Sequence, residues 1–216
     1  MPLQNRVTPE GDIIATPARG TMLGIRGGCF HNDDKTLKAR HWASKRWICC
    51  LLAFKGRRRP LMRPGHFTEL FFLDEATALS AGHRPCFECR RADAERFAEL
   101  WLATHRCEAK SGRASAGAMD DTLHRARVSR DGGRRFTAAA TEHMPDGVFI
   151  RRADDRVPHL VWGNCIFPWT PAGYGPGSAR PRGQIPSFAE ILTPFPTIAV
   201  MSRGYRPTIH PSAVAA

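Results

Sequence analysis

The sequence predicts an α+β protein in which helices flank a small mixed or antiparallel sheet. Short apolar and β-branched runs, bounded by turn residues, occur near both ends of the chain and are typical of strands. Two central segments carry helix caps and apolar residues at helical spacing. The chain has 216 residues, of which 42% are hydrophobic and 24% charged, so it is long and apolar enough to bury a core.

The first third of the chain is predicted to contain mainly strands. A Pro-Glu-Gly-Asp turn between β-branched residues indicates a β-hairpin over 6–16. Residues 17–28 are rich in glycine and arginine, which favours a loop, and Asp33 or Asp34 is expected to cap a short helix over 35–42. Two further strands are predicted over 47–54 and 67–73.

Two helices are predicted next along the chain. The first covers 75–81, because Asp74 is a good N-cap and Gly82 suits the position after the C-cap. The second covers 92–105, because its apolar residues form one stripe along a helix: Ala94, Phe97, Ala98, Trp101 and Leu102.

The C-terminal half is predicted to mix a helix with strands. Apolar spacing favours a short helix around 119–126, and the tail from Pro211 is expected to be loose. The other predictions are strands over 148–151, 160–167 (a hairpin turning at Gly163-Asn164) and 191–200, with an irregular loop over 168–186. We expect a core domain over 1–110 and a C-terminal extension over 111–216 that packs on it.

Positive charge is concentrated in one stretch. The chain has 32 Lys+Arg against 20 Asp+Glu, a net charge of +12, and residues 31–65 alone carry +8. This basic segment (31–65) predicts an anionic partner, first of all nucleic acid, with DNA favoured over RNA; a merely solvated face is the alternative. The residues expected to contact phosphates are Lys55, Arg57, Arg58, Arg59, Arg63, Arg90 and Arg91. Nearby aromatic residues are candidates for stacking on bases, or else belong to the core: Trp42, Trp47, Phe54 and Phe67.

The sequence has no feature of a membrane protein. No run of 18 consecutive apolar residues predicts a transmembrane helix, and the N-terminus lacks the basic-then-apolar pattern of a signal peptide. We therefore expect a cytoplasmic protein that binds no membrane.

The cysteines point to a metal site. They are seven in number, which together with the missing secretion signal argues against a disulfide framework. Cys86 and Cys89 form a Cys-x-x-Cys pair that can hold one tetrahedral ion from a tight turn. A redox pair is the alternative, but it would normally follow a strand, whereas here a helix precedes the pair. The preceding strand offers Cys49 or Cys50, and only one of the two is expected to be a ligand, because adjacent strand residues point to opposite faces.

Residues 71–89 resemble the second half of the Ada-type metal-binding domain, the zinc module of the bacterial alkylation-response methyltransferase. Matching positions are Ala81-Gly82, Arg84-Pro85-Cys86, Cys89 and the basic pair Arg90-Arg91, with a looser match over 47–91. The resemblance implies an Ada-like zinc-binding core, DNA binding and a role in DNA repair or the response to alkylation damage. In that family four thiolates hold zinc, and one of them accepts a methyl group from a DNA phosphotriester.

The resemblance also implies the ligand set. The family's strand carries Cys-x-x-x-Cys where this chain has Cys49-Cys50. The zinc ligands are therefore expected to be Cys50, Cys86 and Cys89 with Cys49, and the alternatives for the fourth ligand are Cys29, His31, His66 and His83.

Two histidines support an enzymatic alternative. On a helix, Asp120 and Asp121 lie four and three residues before His124, so either carboxylate is placed to orient the imidazole as a general base. His31 follows the basic loop and lies near Asp33. A nuclease or base-modifying enzyme is thus one alternative to a binding protein, and a structural zinc module for protein–protein contacts is another. A surface or loop position is the plain interpretation of both histidines.

Overall fold

The computed structural model confirms the α+β class. It describes residues 1–56, 60–105, 109–110, 113–129, 132–133, 135–153, 155–175 and 179–213. The helices of this part of the chain are α1 (Glu75–Ser80), α2 (Arg91–Thr104), α3 (Ala116–Arg127) and α4 (Phe195–Ser202). The strands are β1 (Gln4–Val7), β2 (Ile13–Ala15), β3 (Met22–Arg26), β4 (Trp47–Leu51), β5 (Leu70–Phe72), β6 (Arg84–Pro85), β7 (Ala109–Lys110), β8 (Arg113–Ala114), β9 (Thr137–Ala140), β10 (Phe149–Arg151), β11 (Pro158–Trp162), β12 (Cys165–Thr170), β13 (Gly173–Tyr174), β14 (Arg180–Pro181) and β15 (Phe188–Ile191).

The first sheet is mixed and has the strand order β2-β1-β5-β3-β4-β6. The predicted hairpin is confirmed as β1 and β2, which pair antiparallel. Strand β6 pairs parallel with β4 and places Ile48 opposite Arg84 and Cys49 opposite Pro85. This pairing brings the Cys-x-x-Cys turn, which follows β6, beside the end of β4.

Strand β3 lies where the sequence predicted a glycine-rich loop, so that prediction was wrong. Gly24 sits in the middle of β3, and a Cβ atom there would lie 2.5 Å from the Phe72 ring and 2.6 Å from the Ile48 carbonyl oxygen. The glycine is therefore required by the close approach of neighbouring strands and does not mark a turn.

The helix predicted over 35–42 is absent from the structure. The Asp34 carboxylate accepts hydrogen bonds from the Thr36 amide (3.0 Å) and hydroxyl (2.6 Å), which closes a local turn. Lys35 has a φ of +68°, which a helix does not allow. The side chain expected to cap a helix thus stabilises a competing turn.

Helices α1 and α2 follow the prediction closely. Asp74 caps α1 by accepting a hydrogen bond from the Thr77 amide (2.8 Å). Gly82 ends the segment with a φ of +85°. The stripe predicted on α2 is buried at Ala94, Phe97, Ala98 and Trp101.

The second sheet has the strand order β13-β12-β11-β10-β15-β9, with β14 beside β12. The predicted hairpin at Gly163-Asn164 is confirmed as β11 and β12, with Trp162 paired to Cys165. The region 168–186 is more regular than predicted, because it contains the end of β12 and strands β13 and β14. The strand predicted over 191–200 was wrong: β15 ends at Ile191 and α4 begins at Phe195 with a proline in its first turn.

Helix α1 lies at the centre of the packing. All six of its residues are buried. Leu79 packs with α2, α3, α4 and the second sheet, Ala78 packs with the first sheet, and Ala76 packs with β10, β11, β12 and the C-terminal tail. The helix therefore connects all three hydrophobic clusters, and its position fixes β6 and the turn that follows.

Two buried carboxylates at the start of α1 hold the C-terminal tail. Asp74 accepts hydrogen bonds from the Tyr174 hydroxyl (2.7 Å) and the His210 amide (3.1 Å). Glu75 accepts from the Tyr205 hydroxyl (2.6 Å) and the Thr208 amide (2.9 Å). The described part of the tail, expected to be loose from Pro211, is packed instead, because the Tyr174 amide donates to the Ser212 hydroxyl (2.8 Å) and Ala213 is buried.

Among the described residues, no helix is both long enough and apolar enough to cross a membrane.

The buried ion pair of Glu75 and Arg90 generates a stability prediction. The pair has a distance of 2.7 Å and both side chains are almost completely buried. Glu75→Gln keeps the shape but removes the buried countercharge of Arg90 and leaves it only the half-exposed Asp93 carboxylate at 2.8 Å, which is expected to cost about 3 kcal/mol of unfolding free energy. Urea unfolding followed by circular dichroism measures the change.

Glu99→Gln is the matched control for that variant. Glu99 pairs with Arg96 at 3.8 Å on the exposed face of α2. Removing its charge is expected to change stability by less than about 1 kcal/mol, because exposed ion pairs contribute little. Equal losses in the two variants would contradict the structural role of the buried pair.

Candidate metal centre

Three cysteines that the sequence predicted as ligands come together in the structure. The sulfur atoms of Cys50, Cys86 and Cys89 all lie within 4.8 Å of one another, and we call this group the thiol cluster. Cys50 belongs to β4, Cys86 directly follows β6, and Cys89 precedes α2. The Cys86 amide donates to the Cys49 carbonyl oxygen at 3.0 Å, which continues the pairing of the two strands into the turn.

Backbone amides point at the sulfur atoms. The Glu88 amide donates to Cys86 Sγ and the Leu51 amide donates to Cys89 Sγ, each at 3.4 Å. Such bonds stabilise negative charge on sulfur, which is the form that binds a metal ion. The tight turn of the Cys-x-x-Cys pair therefore supplies both ligands and part of their electrostatic support.

The pKa values of the three thiols are shifted in different directions. A hydrogen bond from Cys50 lowers the pKa of Cys86 to about 5, and the amides of Cys89 and Glu88 act in the same direction. The same hydrogen bond, followed by burial, raises the pKa of Cys50, and burial raises the pKa of Cys89. Bringing three ionisable sulfur atoms this close is unfavourable unless protons or a cation neutralise them, and a metal ion can replace the protons.

Cys49 is not part of the thiol cluster, so its assignment as a ligand is corrected. It lies on the opposite face of β4, buried in the core, where Arg90 Nη1 approaches its sulfur at 3.7 Å. Burial raises its pKa, which keeps the thiol protonated. The expectation that only one of the adjacent cysteines reaches the site is confirmed, and the alternation of side chains along a strand is the reason.

The other candidates for a fourth ligand lie elsewhere. Cys29 Sγ is 3.7 Å from His31 Nδ1, and that nitrogen is 2.7 Å from the Thr68 hydroxyl. His83 is buried against the rings of Trp47 and Phe72. Within the described ranges, the cluster of His, Cys, Asp and Glu side chains contains the three cysteines alone. The three thiols can hold a metal ion.

The thiol cluster lines a large cleft. The cleft has a volume of about 960 Å³, and all three cysteines are among its lining residues. Its floor is the outward face of β3, β4 and β5, which carries Leu23, Ile25, Ile48 and Phe71. The chain that follows β4 contributes further apolar side chains, namely Leu51, Leu52, Phe54, Leu61 and Phe67. Phe54 and Phe67 were predicted as candidates for stacking, whereas the floor was not predicted, although apolar residues on both faces of β3 and β4 were a signal for it.

The other aromatic candidates are placed differently. Trp47 is buried, with the guanidinium carbons of Arg127 and Arg26 at 3.8 and 4.1 Å from its ring. Trp42 contacts the His124 ring and the Arg40 guanidinium. Neither tryptophan lines the cleft.

The predicted phosphate-binding residues separate into three groups. Lys55, Arg63 and Arg91 are exposed, and Arg91 pairs with Glu95 at 3.2 Å. Arg90 is 2% exposed and is committed to Glu75, so it is not available to a phosphate. The predicted contacts Arg57, Arg58 and Arg59 lie outside the described residues.

The predicted pairing of His124 with a carboxylate was wrong. Asp120 accepts a bidentate contact from Arg84 at 2.8 and 2.9 Å, and Asp121 accepts from Lys45 at 2.7 Å. Partial burial, and then the surrounding cations, lower the pKa of His124. His31 is only 2% exposed, so no substrate can reach it from solvent in this conformation.

Comparison of the chain with protein-family models, curated proteins and solved structures gives no match. The resemblance to the Ada-type domain therefore rests on the motif residues alone and stays a prediction.

Cysteine substitutions test the metal centre. Cys50→Ser, Cys86→Ser and Cys89→Ser are each expected to weaken Co²⁺ binding at least tenfold, about 1.4 kcal/mol. The physical reason is that serine replaces a soft thiolate by a poor ligand. The measurement is the sulfur-to-cobalt charge-transfer band during titration.

The controls are Cys49→Ala and Cys29→Ser, whose side chains lie outside the thiol cluster. Both are expected to keep the wild-type cobalt spectrum. A loss of the band in Cys49→Ala with the fold intact, or its retention in Cys86→Ser, would contradict the ligand assignment.

Proposed function

We propose that this protein is a zinc-containing nucleic-acid-binding protein, with DNA as the first ligand to test. The observation that carries the proposal is the position of the thiol cluster in the wall of a cleft bordered by the basic segment. Strand β4 and the chain after it supply Cys50, Leu51, Leu52 and Phe54 to the cleft, and the same stretch supplies the cation Lys55.

Zinc is the metal that best suits the donor set. Thiolate ligands select zinc, copper(I) or iron–sulfur clusters, whereas calcium and magnesium require oxygen ligands. Zinc accepts a Cys-x-x-Cys turn in tetrahedral geometry and binds as a single ion without redox change. It would offset most of the negative charge of three thiolates and join the end of β4 to the start of α2.

The distribution of charge supports an anionic partner. The seven described cations of the basic segment, namely Lys35, Lys38, Arg40, Lys45, Arg46, Lys55 and Arg63, are all exposed. Arg46 is the one of these that lines the cleft, whose lining also includes Glu69 and Glu88, and Lys55 lies against the ring of the lining residue Phe54. Binding of exposed cations to the phosphates of a nucleic acid is favourable because it releases the counterions condensed on the nucleic acid.

The enzymatic alternative receives less support from the geometry. His31 is enclosed and hydrogen-bonded to Thr68, and His124 lacks the carboxylate partner that a general base would use. A purely structural zinc module for protein contacts would not need a concentrated positive charge. A connection to DNA repair or alkylation damage follows only from the motif resemblance and is part of the proposal on that basis.

Metal content is the first test. Protein purified without chelators is expected to contain about one equivalent of zinc, and chelation is expected to destabilise the fold because a structural metal contributes folding free energy. The measurement is elemental analysis with thermal unfolding before and after chelation. Less than half an equivalent, with no effect of added zinc on unfolding, would refute the zinc assignment.

Salt dependence is the second test. Binding to a 20-base-pair DNA duplex is expected to weaken steeply with salt, and the variants Lys55→Gln and Arg63→Gln should each lower the logarithmic salt slope by about one. Arg203→Gln removes the same charge from the exposed end of α4 and serves as the control. Binding that does not depend on salt, or equal effects of all three variants, would contradict the proposed surface.

A further inference from the structure

We propose that the cleft beside the thiol cluster binds unpaired nucleobases of a single strand, by stacking them on its aromatic side chains. The inference rests on the proposed function and names the part of the nucleic acid that enters this site. It assigns a role to a surface whose apolar character the metal centre and the basic segment do not explain.

The walls of the cleft are unusually apolar for a surface. Phe67 is 45% exposed, Leu51 40% and Leu52 48%, and they are among the few large hydrophobic side chains exposed in the described part of the chain. All three line the cleft together with the apolar floor of the sheet. A contiguous exposed apolar surface of this kind marks a binding site, because leaving it in water is unfavourable.

Cations accompany the aromatic rings of the cleft. The Arg6 guanidinium carbon lies 4.6 Å from the centre of the Phe71 ring, and Lys55 Nζ lies 5.2 Å from that of Phe54. Arg46 adds a further exposed cation to the lining. Proteins bind single-stranded nucleic acid with little dependence on sequence when aromatic rings stack on the bases and neighbouring cations contact the phosphates.

The shape of the site favours unpaired bases over a duplex. A duplex presents only base edges in its grooves, whereas the planar faces needed for stacking are covered by neighbouring base pairs. A concave site of about 960 Å³ with an apolar floor can receive such faces only when the bases are splayed out. A neutral apolar ligand would fill the same walls but would gain nothing from Arg46 in the lining or from Lys55 beside Phe54.

A comparison of oligonucleotides tests the inference without altering the protein. The zinc-loaded protein is titrated with fluorescein-labelled dT12 and with a 12-mer of abasic sites, which has the same phosphates and no bases. Stacking predicts that dT12 binds at least about fivefold more tightly for each base accommodated. The salt slope should be nearly the same for both, because the phosphate contacts are shared.

Variants locate the effect in the cleft. Phe67→Ala is expected to reduce the preference for dT12 at least about fivefold and to leave the affinity for the abasic 12-mer unchanged. Phe188→Ala removes an equally large side chain that is 60% exposed and does not line the cleft, and it should keep the full preference. Because Phe67 is half exposed, its removal is not expected to unfold the protein.

The outcomes separate this inference from the proposed function. Equal, salt-dependent binding of dT12 and the abasic 12-mer would overturn base stacking while leaving nucleic-acid binding intact. The absence of salt-dependent binding to any oligonucleotide would overturn both. An apolar fluorescent probe that occupies the cleft in a Phe67-dependent manner, and that dT12 does not displace, would identify an apolar ligand and also overturn the inference.

Discussion

The pairing of β6 with β4 is the constraint on which the rest of the site depends. It consists of only two residue pairs, continued by the bond from the Cys86 amide to Cys49, yet it sets the distance between Cys50 and the Cys-x-x-Cys turn. So short a strand is held mainly by the side chains beside it. Arg84 binds Asp120 of α3, and Arg90 binds Glu75 of α1, in both cases out of contact with water. Because an unpaired buried charge is very unfavourable, these ion pairs fix the position of the turn between two helices and the sheet.

The arginines serve two physically different purposes. Arg26, Arg84, Arg90 and Arg127 are buried, where they bind carboxylates or backbone carbonyls, and two of them stack on Trp47. They count toward the net charge of +12 but contribute little to what a partner would meet. The described cations of the basic segment are exposed instead. The overall charge is therefore a poor measure of an electrostatic binding surface, and the charge of the segment is a better one.

The side chains of β4 alternate between the core and the cleft. Trp47 and Cys49 face the core, whereas Ile48 and Cys50 face the cleft. The same alternation leaves Leu23 and Ile25 of β3 on the cleft side, so the sheet is apolar on both faces. One face is covered by α1, and the other is left as the floor of the cleft. The thiol cluster, the apolar floor and the cation Arg46 thus belong to the lining of one cleft, which is the surface that the proposed nucleic-acid ligand would contact.

The features that the sequence alone determined are those that rest on local interactions. The cap of α1 by Asp74, the turn at Gly82, the stripe of α2 and the opposite orientations of Cys49 and Cys50 depend on residues a few positions apart, so their patterns were readable. The tertiary structure decided what depends on distant partners. The Phe72 ring packs so close to Gly24 that only glycine fits at this position of β3. Arg90 is buried because it supplies the countercharge of Glu75. Asp120 pairs with Arg84 rather than with His124 for the same reason. An apolar run such as 195–202 carries no distinct period, and only its packing against α2 and α3 makes it a helix.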